Sequence, residues 1–92
     1  MARYRQKAVV DAFQYDGEIK DANGHYCVPG WAAEAVEKGQ LFYESVDGEP
    51  LLFAEFYGER QIVNIGDYLM NGQEFVFPVE AEWFESTFEK IG

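Results

Sequence analysis

Four pairs of turn-forming residues divide this chain into short segments and constrain its fold more than any other feature. The pairs are Asp16-Gly17, Asn23-Gly24, Asp47-Gly48 and Asn71-Gly72. Glycine and asparagine tolerate the positive φ that tight turns require, so each pair favours a chain reversal. Together with the further turn or stop signals Pro29-Gly30, Gly39, Gly58-Glu59 and Gly66-Asp67, they recur about every 6–12 residues, a spacing that suits short strands.

The segments between the turns carry the apolar and aromatic residues typical of strands. We predict strands over residues 8–15, 41–46, 51–57, 60–65, 68–70, 74–77 and 87–91, with a shorter extended piece at 26–28. The segments 41–46 and 51–57 flank Asp47-Gly48-Glu49-Pro50, which predicts a hairpin. The expected sheet is therefore an antiparallel meander of about six or seven short strands.

Residues 31–38 have the spacing of one short amphipathic helix. Trp31, Ala32, Ala35 and Val36 fall on one stripe, and Gly39 supplies a C-terminal stop. Because a helix of eight residues is unstable on its own, the stripe must pack against other elements. A helical turn is predicted over residues 80–85. The predicted fold class is α+β, a sheet-dominated single domain spanning residues 1–92.

The chain is strongly acidic, with a net charge of -10, and three of its seven basic side chains lie within the first seven residues. Affinity for nucleic acid comes largely from lysine and arginine on phosphates, so we expect no duplex binding. An acidic surface instead favours a basic protein partner. No apolar stretch approaches the length of a membrane span, and no leader pattern begins the chain, so we expect a cytoplasmic protein without a membrane partner.

The residue patterns of common catalytic sites are missing from the sequence. Neither serine, Ser45 or Ser86, lies in a Gly-x-Ser-x-Gly elbow, and no phosphate-binding glycine motif occurs. The single cysteine excludes an internal disulfide. His25 and Cys27 are too few for a zinc site, and we expect a loop histidine and a buried cysteine. The sequence therefore predicts no enzyme activity, no catalytic residues, no cofactor and no metal.

Sixteen aromatic residues are more than so small a domain can bury completely. Most are expected to pack in the core or against the sheet, and the others to form a contact surface or a homo-oligomer interface. One acidic set surrounds an aromatic residue near the C-terminus. These candidate partner-binding residues are Glu80, Glu82, Trp83, Glu85 and Glu89.

A second set combines aromatic rings with arginines. Rings stack on nucleobases and arginines pair with phosphates, so such a set suits a small nucleotide. The candidate ligand-binding residues are Arg3, Arg5, Tyr15, Trp31 and Arg60. They are expected to meet in one local basic pocket, most readily at an oligomer interface.

Several stretches, in order along the chain, carry a family pattern. They are YRQKAVVDAFQY at 4–15, PGW at 29–31 with Ala35 and Gly39, GDYL at 66–69, FP at 77–78 and FESTFE at 84–89. Together they resemble a largely uncharacterised family of small tailed-phage and prophage proteins that begin Y-R-K-K-P-V-V-V-E-A-F-Q-W/Y and end G-D-Y-I/L…Y-P…F-x-x-T-Y-E. Ala8 and Phe88 depart from the usual Pro and Tyr, and the loop at 71–74 is shorter.

The resemblance implies a phage or prophage origin and an accessory role, with no catalytic residues to carry over. The Gly66-Asp67-Tyr68 piece also has a structural explanation: a bend at Gly66, an Asp67 bond to the backbone two residues on, and a strand from Tyr68. The expected function is a non-enzymatic binding protein that contacts a host protein through an acidic surface, as in counter-defence. The alternatives are a sponge for a nucleotide immune signal and a minor virion or assembly component.

Overall fold

A computed structural model describes residues 10–72 and 74–88 of the chain. Turns separate six short strands and two short helices, so the fold is α+β and sheet-dominated. The elements, in chain order, are β1 (Ala12–Gln14), α1 (Gly30–Glu37), β2 (Leu41–Val46), β3 (Glu49–Phe56), β4 (Glu59–Val63), β5 (Tyr68–Asn71), β6 (Val76–Val79) and α2 (Ala81–Thr87).

The strands form two antiparallel sheets of three strands each, with the orders β1-β5-β6 and β2-β3-β4. The prediction of one meander is therefore wrong, although strand type and antiparallel pairing are confirmed. The reason is that β1 pairs with β5, matching Phe13 with Leu69, across most of the chain. A local pattern shows which strands a short turn joins, but not such a distant partner.

The first sheet buries one row of side chains across all three strands. Phe13 faces Leu69, and Leu69 faces Pro78. Leu69 lies on the central strand and is completely buried. Pro78 lies on an edge strand, where a missing backbone donor is tolerated. This row and the buried Val76 of β6 are the contribution of the first sheet to the core.

The second sheet consists of two consecutive hairpins, which confirms the hairpin predicted around Asp47-Gly48. Both turns contain two residues with positive φ: Asp47 and Gly48 at 52° and 85°, and Tyr57 and Gly58 at 54° and 78°. Such turns match the right-handed twist of the flanking strands. Pro50 pairs with Ser45 beyond the part of β3 that β4 covers.

The two sheets pack through β3 and β6 and share one core. On the second sheet the buried face alternates with an outer face, as strand geometry requires. Tyr15 and Ile19 add the segment after β1 to the core. The buried cluster is Tyr15, Ile19, Ala35, Leu41, Leu52, Ala54, Val63, Leu69 and Val76.

Helix α1 confirms the predicted helix and its apolar stripe, although both ends lie one residue earlier than the predicted range 31–38. Ala32 and Ala35 are buried, and Trp31 packs against the core cluster with its ring 5.6 Å from that of Phe13. Gly39 stops the helix as predicted: the last helical residue is Glu37, and Gly39 has a φ of +82°. The backbone N–H groups of Gly39 and Gln40 donate to the carbonyls of Val36 and Ala35, which is a Schellman motif.

Several predicted boundaries are wrong at the chain ends. The helical turn predicted at 80–85 is helix α2, and it includes Thr87, so a strand over 87–91 does not begin there. Of the predicted strand 8–15 the structure describes residues 10–15, and among these Ala12–Gln14 pair as a strand. The piece at 26–28 is reduced to one bridge between Lys20 and Tyr26. Residues 1–9 and 89–92 lie outside the described chain.

The turn before β5 confirms two of three expectations for Gly66-Asp67-Tyr68. Gly66 has a φ of +102°, and Tyr68 begins β5. Asp67, however, bonds backwards: its carboxylate accepts a hydrogen bond from the Asn64 backbone N–H at 3.0 Å. The turn is tied to the chain beyond β1, because Tyr15 exchanges backbone bonds with Gly66 and Asp67.

Candidate functional site

Helix α2 gathers the described members of the predicted acidic set on one short surface element. Glu80 immediately precedes the helix, and Glu82, Trp83 and Glu85 lie within it. No residue of α2 is buried, and the Trp83 side chain is 49% exposed. Glu89 lies outside the described residues. Most side chains of the helix, Trp83 among them, are therefore exposed to the surroundings.

A row of aromatic rings holds α2 against the first sheet. The Phe84 ring stacks on Tyr68 of β5, with centroids 4.2 Å apart and an angle of 14° between planes. Phe88 lies 4.9 Å from Phe84 and 5.9 Å from Trp83. Such pairs contribute about 0.5–1.5 kcal/mol each beyond area burial. We call Tyr68, Trp83, Phe84 and Phe88 the α2 aromatic row; its outer end is Trp83.

A hydrogen bond adds to this attachment. The Tyr68 hydroxyl donates to a Glu85 carboxylate oxygen at 2.9 Å. This bond, together with burial, raises the pKa of Tyr68 above its usual value, because an anionic carboxylate favours the protonated phenol. Tyr68 therefore holds α2 both through its ring and through its hydroxyl.

The carboxylates of α2 carry negative charge that no described cation neutralises. Across residues 10–72 and 74–88, the one ion pair joins Arg60 to Glu44, at 2.6 Å. Glu80, Glu82 and Glu85 therefore have no salt-bridge partner in that part of the chain. An exposed ring beside carboxylates that no described cation neutralises is chemically suited to a cationic, partly apolar contact.

The predicted nucleotide-binding set is not brought together in the described residues. Arg3 and Arg5 lie outside them. Tyr15 is only 4% exposed, and its hydroxyl meets that of Tyr43, whose strand partner is the buried Leu52. Tyr15 is thus on the core face of the second sheet and unavailable for stacking.

Arg60 lies on the opposite, outer face of that sheet. Its neighbour Gln61 pairs with the buried Ala54, and adjacent strand residues point to opposite faces. The guanidinium lies 5.6 and 5.3 Å from the ring centroids of Phe42 and Phe53. Because it is also ion-paired with Glu44, Arg60 is occupied within its own sheet.

The buried tyrosine makes stability sensitive to alkaline pH. Burial, reinforced by the hydrogen bond with Tyr43, raises the pKa of Tyr15 above the usual value of about 10. The folded state then retains a proton that the unfolded state loses, so stability falls as the pH rises above about 10. In Tyr15→Phe we expect a shallower fall, measured by urea unfolding on both sides of that pH. An unchanged pH dependence would contradict this assignment.

The structure places His25 and Cys27 on the surface, in and just after a tight turn. The His25 backbone N–H donates to the Asp21 carboxylate at 2.9 Å within a tight turn. Cys27 is exposed, so the expectation of a buried cysteine is wrong. Within the described ranges, no group of three or more His, Cys, Asp or Glu is placed to hold a metal ion. In the same ranges no helix is long and apolar enough to cross a membrane.

Sequence reasoning missed a pocket between α1 and the turn that joins β5 and β6. Trp31, Lys38 and Gln40 line it from one side, and Asn71 and Phe75 from the other. Of these, only Trp31 was predicted as a ligand-binding residue. The sequence around Asn71-Gly72 predicts only a turn, because no pattern in the neighbouring residues indicates that α1 lies beside it.

Comparisons of the chain with models of known protein families, with curated proteins and with solved structures gave no match.

Proposed function

We propose that this chain is a non-enzymatic binding protein that contacts a basic protein partner through α2 and the α2 aromatic row. The observation that carries the proposal is the exposed Trp83 on a helix with no buried residue, beside carboxylates that have no salt-bridge partner among the described residues. A helix that only served the core would turn its largest side chain inward. Here Trp83 is held at its edge by Phe88 and remains open to a partner.

The charge of the whole chain supports the same kind of partner. A net charge of -10 attracts a basic surface over distances comparable to the Debye length, about 8–10 Å at moderate salt. Glu80, Glu82 and Glu85 then supply local charge complementarity around the ring. Charge attraction would speed the association of the two proteins, and burial of Trp83 in the interface would slow their dissociation.

The biological setting we propose follows from the family resemblance of the sequence. A small acidic phage or prophage protein in the host cytoplasm would meet many basic, nucleic-acid-binding host proteins. Occupying such a surface is a direct route to counter-defence, because the acidic face imitates the charge of nucleic acid. A role in the virion would instead appear as co-purification with particles.

The test compares three single variants as immobilised bait in bacterial lysate. Trp83→Ala and Glu82→Lys alter the proposed surface, and Glu59→Lys makes the same charge change at an exposed residue of β4. Truncating a central aromatic residue of an interface costs about 2 kcal/mol or more, which is roughly a 30-fold loss of affinity. We therefore expect a basic protein to be captured by the unmodified chain and Glu59→Lys, and lost from the other two.

The folded state of each variant is checked first by its melting temperature. No side chain of α2 is buried, so Glu82→Lys is expected to fold normally. Capture of the same proteins by Glu82→Lys and Trp83→Ala as by Glu59→Lys would overturn the proposal. Capture of acidic proteins only would do the same.

A further inference from the structure

The pocket beside α1 has features of a small-molecule site that the proposed function does not use. Its volume is about 320 Å³, at the lower end of the roughly 300–1,000 Å³ typical of ligand pockets. Two aromatic residues, Trp31 and Phe75, are among the residues that line it. The remaining surface is mainly polar, and it includes the side-chain amides of Gln40 and Asn71.

Local structure holds these groups around the opening. Gln40 follows the end of α1, and its side-chain amide donates to the Glu74 carbonyl at 3.0 Å. This bond connects the end of the helix to the turn between β5 and β6. The Phe75 ring, on the other side of the opening, packs against Tyr57, and the two ring centroids lie 4.8 Å apart. The pocket is therefore built by contacts between three separate parts of the chain.

We propose that this pocket binds a small, neutral, planar heteroaromatic molecule of the nucleobase or nucleoside class. Aromatic walls offer stacking to such rings, and side-chain amides match the paired donor and acceptor on a base edge. The Asn71 side chain makes no hydrogen bond to another described residue, and the Gln40 amide oxygen accepts none there. Both amides therefore have capacity for a ligand.

The charges around the pocket select against phosphates. Glu34 and Glu74 line it together with a single cation, Lys38, so its formal charge is negative. A phosphate brought to this opening would be repelled, since two carboxylates outweigh one ammonium. The ligand is therefore a nucleoside or free base rather than the nucleotide signal considered from the sequence.

Tyr57 gives an independent indication that the Phe75 wall matters. It has a φ of +54° and is 78% exposed, at a turn position where asparagine, aspartate or glycine is preferred. A bulky aromatic residue is strained in this conformation. Its ring contacts Phe56 and Phe75, so the strained residue supports the pocket wall.

The experiment titrates the full chain with adenosine, guanosine, cytidine and uridine, and with their monophosphates, observed by NMR. The chain contains two tryptophans, so the two indole N–H signals distinguish the pocket from α2. We expect the Trp31 signal to shift, the Trp83 signal to stay, and the monophosphate to bind at least about 5-fold more weakly than its nucleoside. No shift with any nucleoside, or tighter binding of monophosphates, would overturn the proposal.

Two variants of Tyr57 test whether nucleoside binding depends on the support that Tyr57 gives to Phe75. Tyr57→Asn relieves the backbone strain at this turn position, so the melting temperature should rise. The same change removes the ring that packs on Phe75, so nucleoside binding should weaken. Tyr57→Phe keeps the ring and should bind as the unmodified chain does. If Tyr57→Asn bound nucleosides as tightly as the unmodified chain, Tyr57 would not support the Phe75 side of the pocket. The inference is independent of the α2 surface, since Glu82→Lys should leave nucleoside binding unchanged.

Discussion

Replacing Leu69 by alanine is expected to lower the free energy of unfolding by about 2–5 kcal/mol. Leu69 is completely buried on the central strand of the first sheet, between Phe13 and Pro78. Truncation removes apolar contacts on both sides and leaves a cavity, because neighbouring strands held by backbone hydrogen bonds relax only in part. Urea unfolding followed by circular dichroism measures the change.

The matched control for this prediction is Ile65→Ala. Ile65 is also a large aliphatic residue close in sequence, but it is 74% exposed in the turn before β5. Its truncation should change the unfolding free energy by no more than about 0.5 kcal/mol. If Leu69→Ala were as mild as Ile65→Ala, the packing of the first sheet described above would be wrong.

Gly72→Ala is the second substitution with a large expected effect, about 1–3 kcal/mol of destabilisation. A Cβ at this position would lie 2.7 Å from the Phe75 carbonyl oxygen and 2.7 Å from the Phe77 ring. The Gly72 backbone N–H also donates to that carbonyl at 2.8 Å, so the turn has no room to move away. Thermal and urea unfolding measure the loss.

Gly30→Ala is the control for the glycine prediction. Gly30 begins α1, and apart from its chain neighbours and the backbone of its own helix no atom lies within 4 Å of where its Cβ would be. Alanine is a better helix former than glycine, so this variant should be as stable as the original or slightly more so. Equal stability of the two glycine variants would show that the close approach at Gly72 is absent in solution.

Gly72 also connects stability to the pocket, because it lies on the pocket lining beside Asn71. A shifted turn would displace Asn71 and Phe75 relative to Trp31. Gly72→Ala should therefore lose nucleoside binding together with stability. Tyr57→Asn is expected to change the two in opposite directions, with higher stability and weaker nucleoside binding.

The elements that depend on neighbours in the chain were predictable. The hairpin at Asp47-Gly48 follows from a dipeptide that tolerates positive φ, and α1 from its apolar stripe and Gly39. Both depend on contacts within a few residues, for which local patterns suffice. The Tyr57-Gly58 turn was harder to predict as a hairpin, because tyrosine is unusual at its first position.

The candidate sites also differ in whether they depend on neighbouring or on distant residues. The acidic set on α2 is contiguous in sequence, so its described members stay together wherever the helix lies. The nucleotide-binding set was assembled from distant residues by chemical type alone, and the structure places Tyr15 and Arg60 on opposite faces of one sheet. The pocket around Trp31 depends on α1 meeting the β5–β6 turn, which no local pattern encodes.

The sequence by itself determined the acidity of this protein, its short strands, its tight turns and its first helix, because these properties arise from residues close together in the chain. Only the tertiary structure decided that the strands divide into two sheets, that Tyr15 is buried, and that α2 rests on Tyr68 with Trp83 exposed. Those outcomes depend on pairing and packing between distant segments. Many such arrangements are compatible with the same local pattern, and the one that buries the most apolar surface with its polar groups paired is selected.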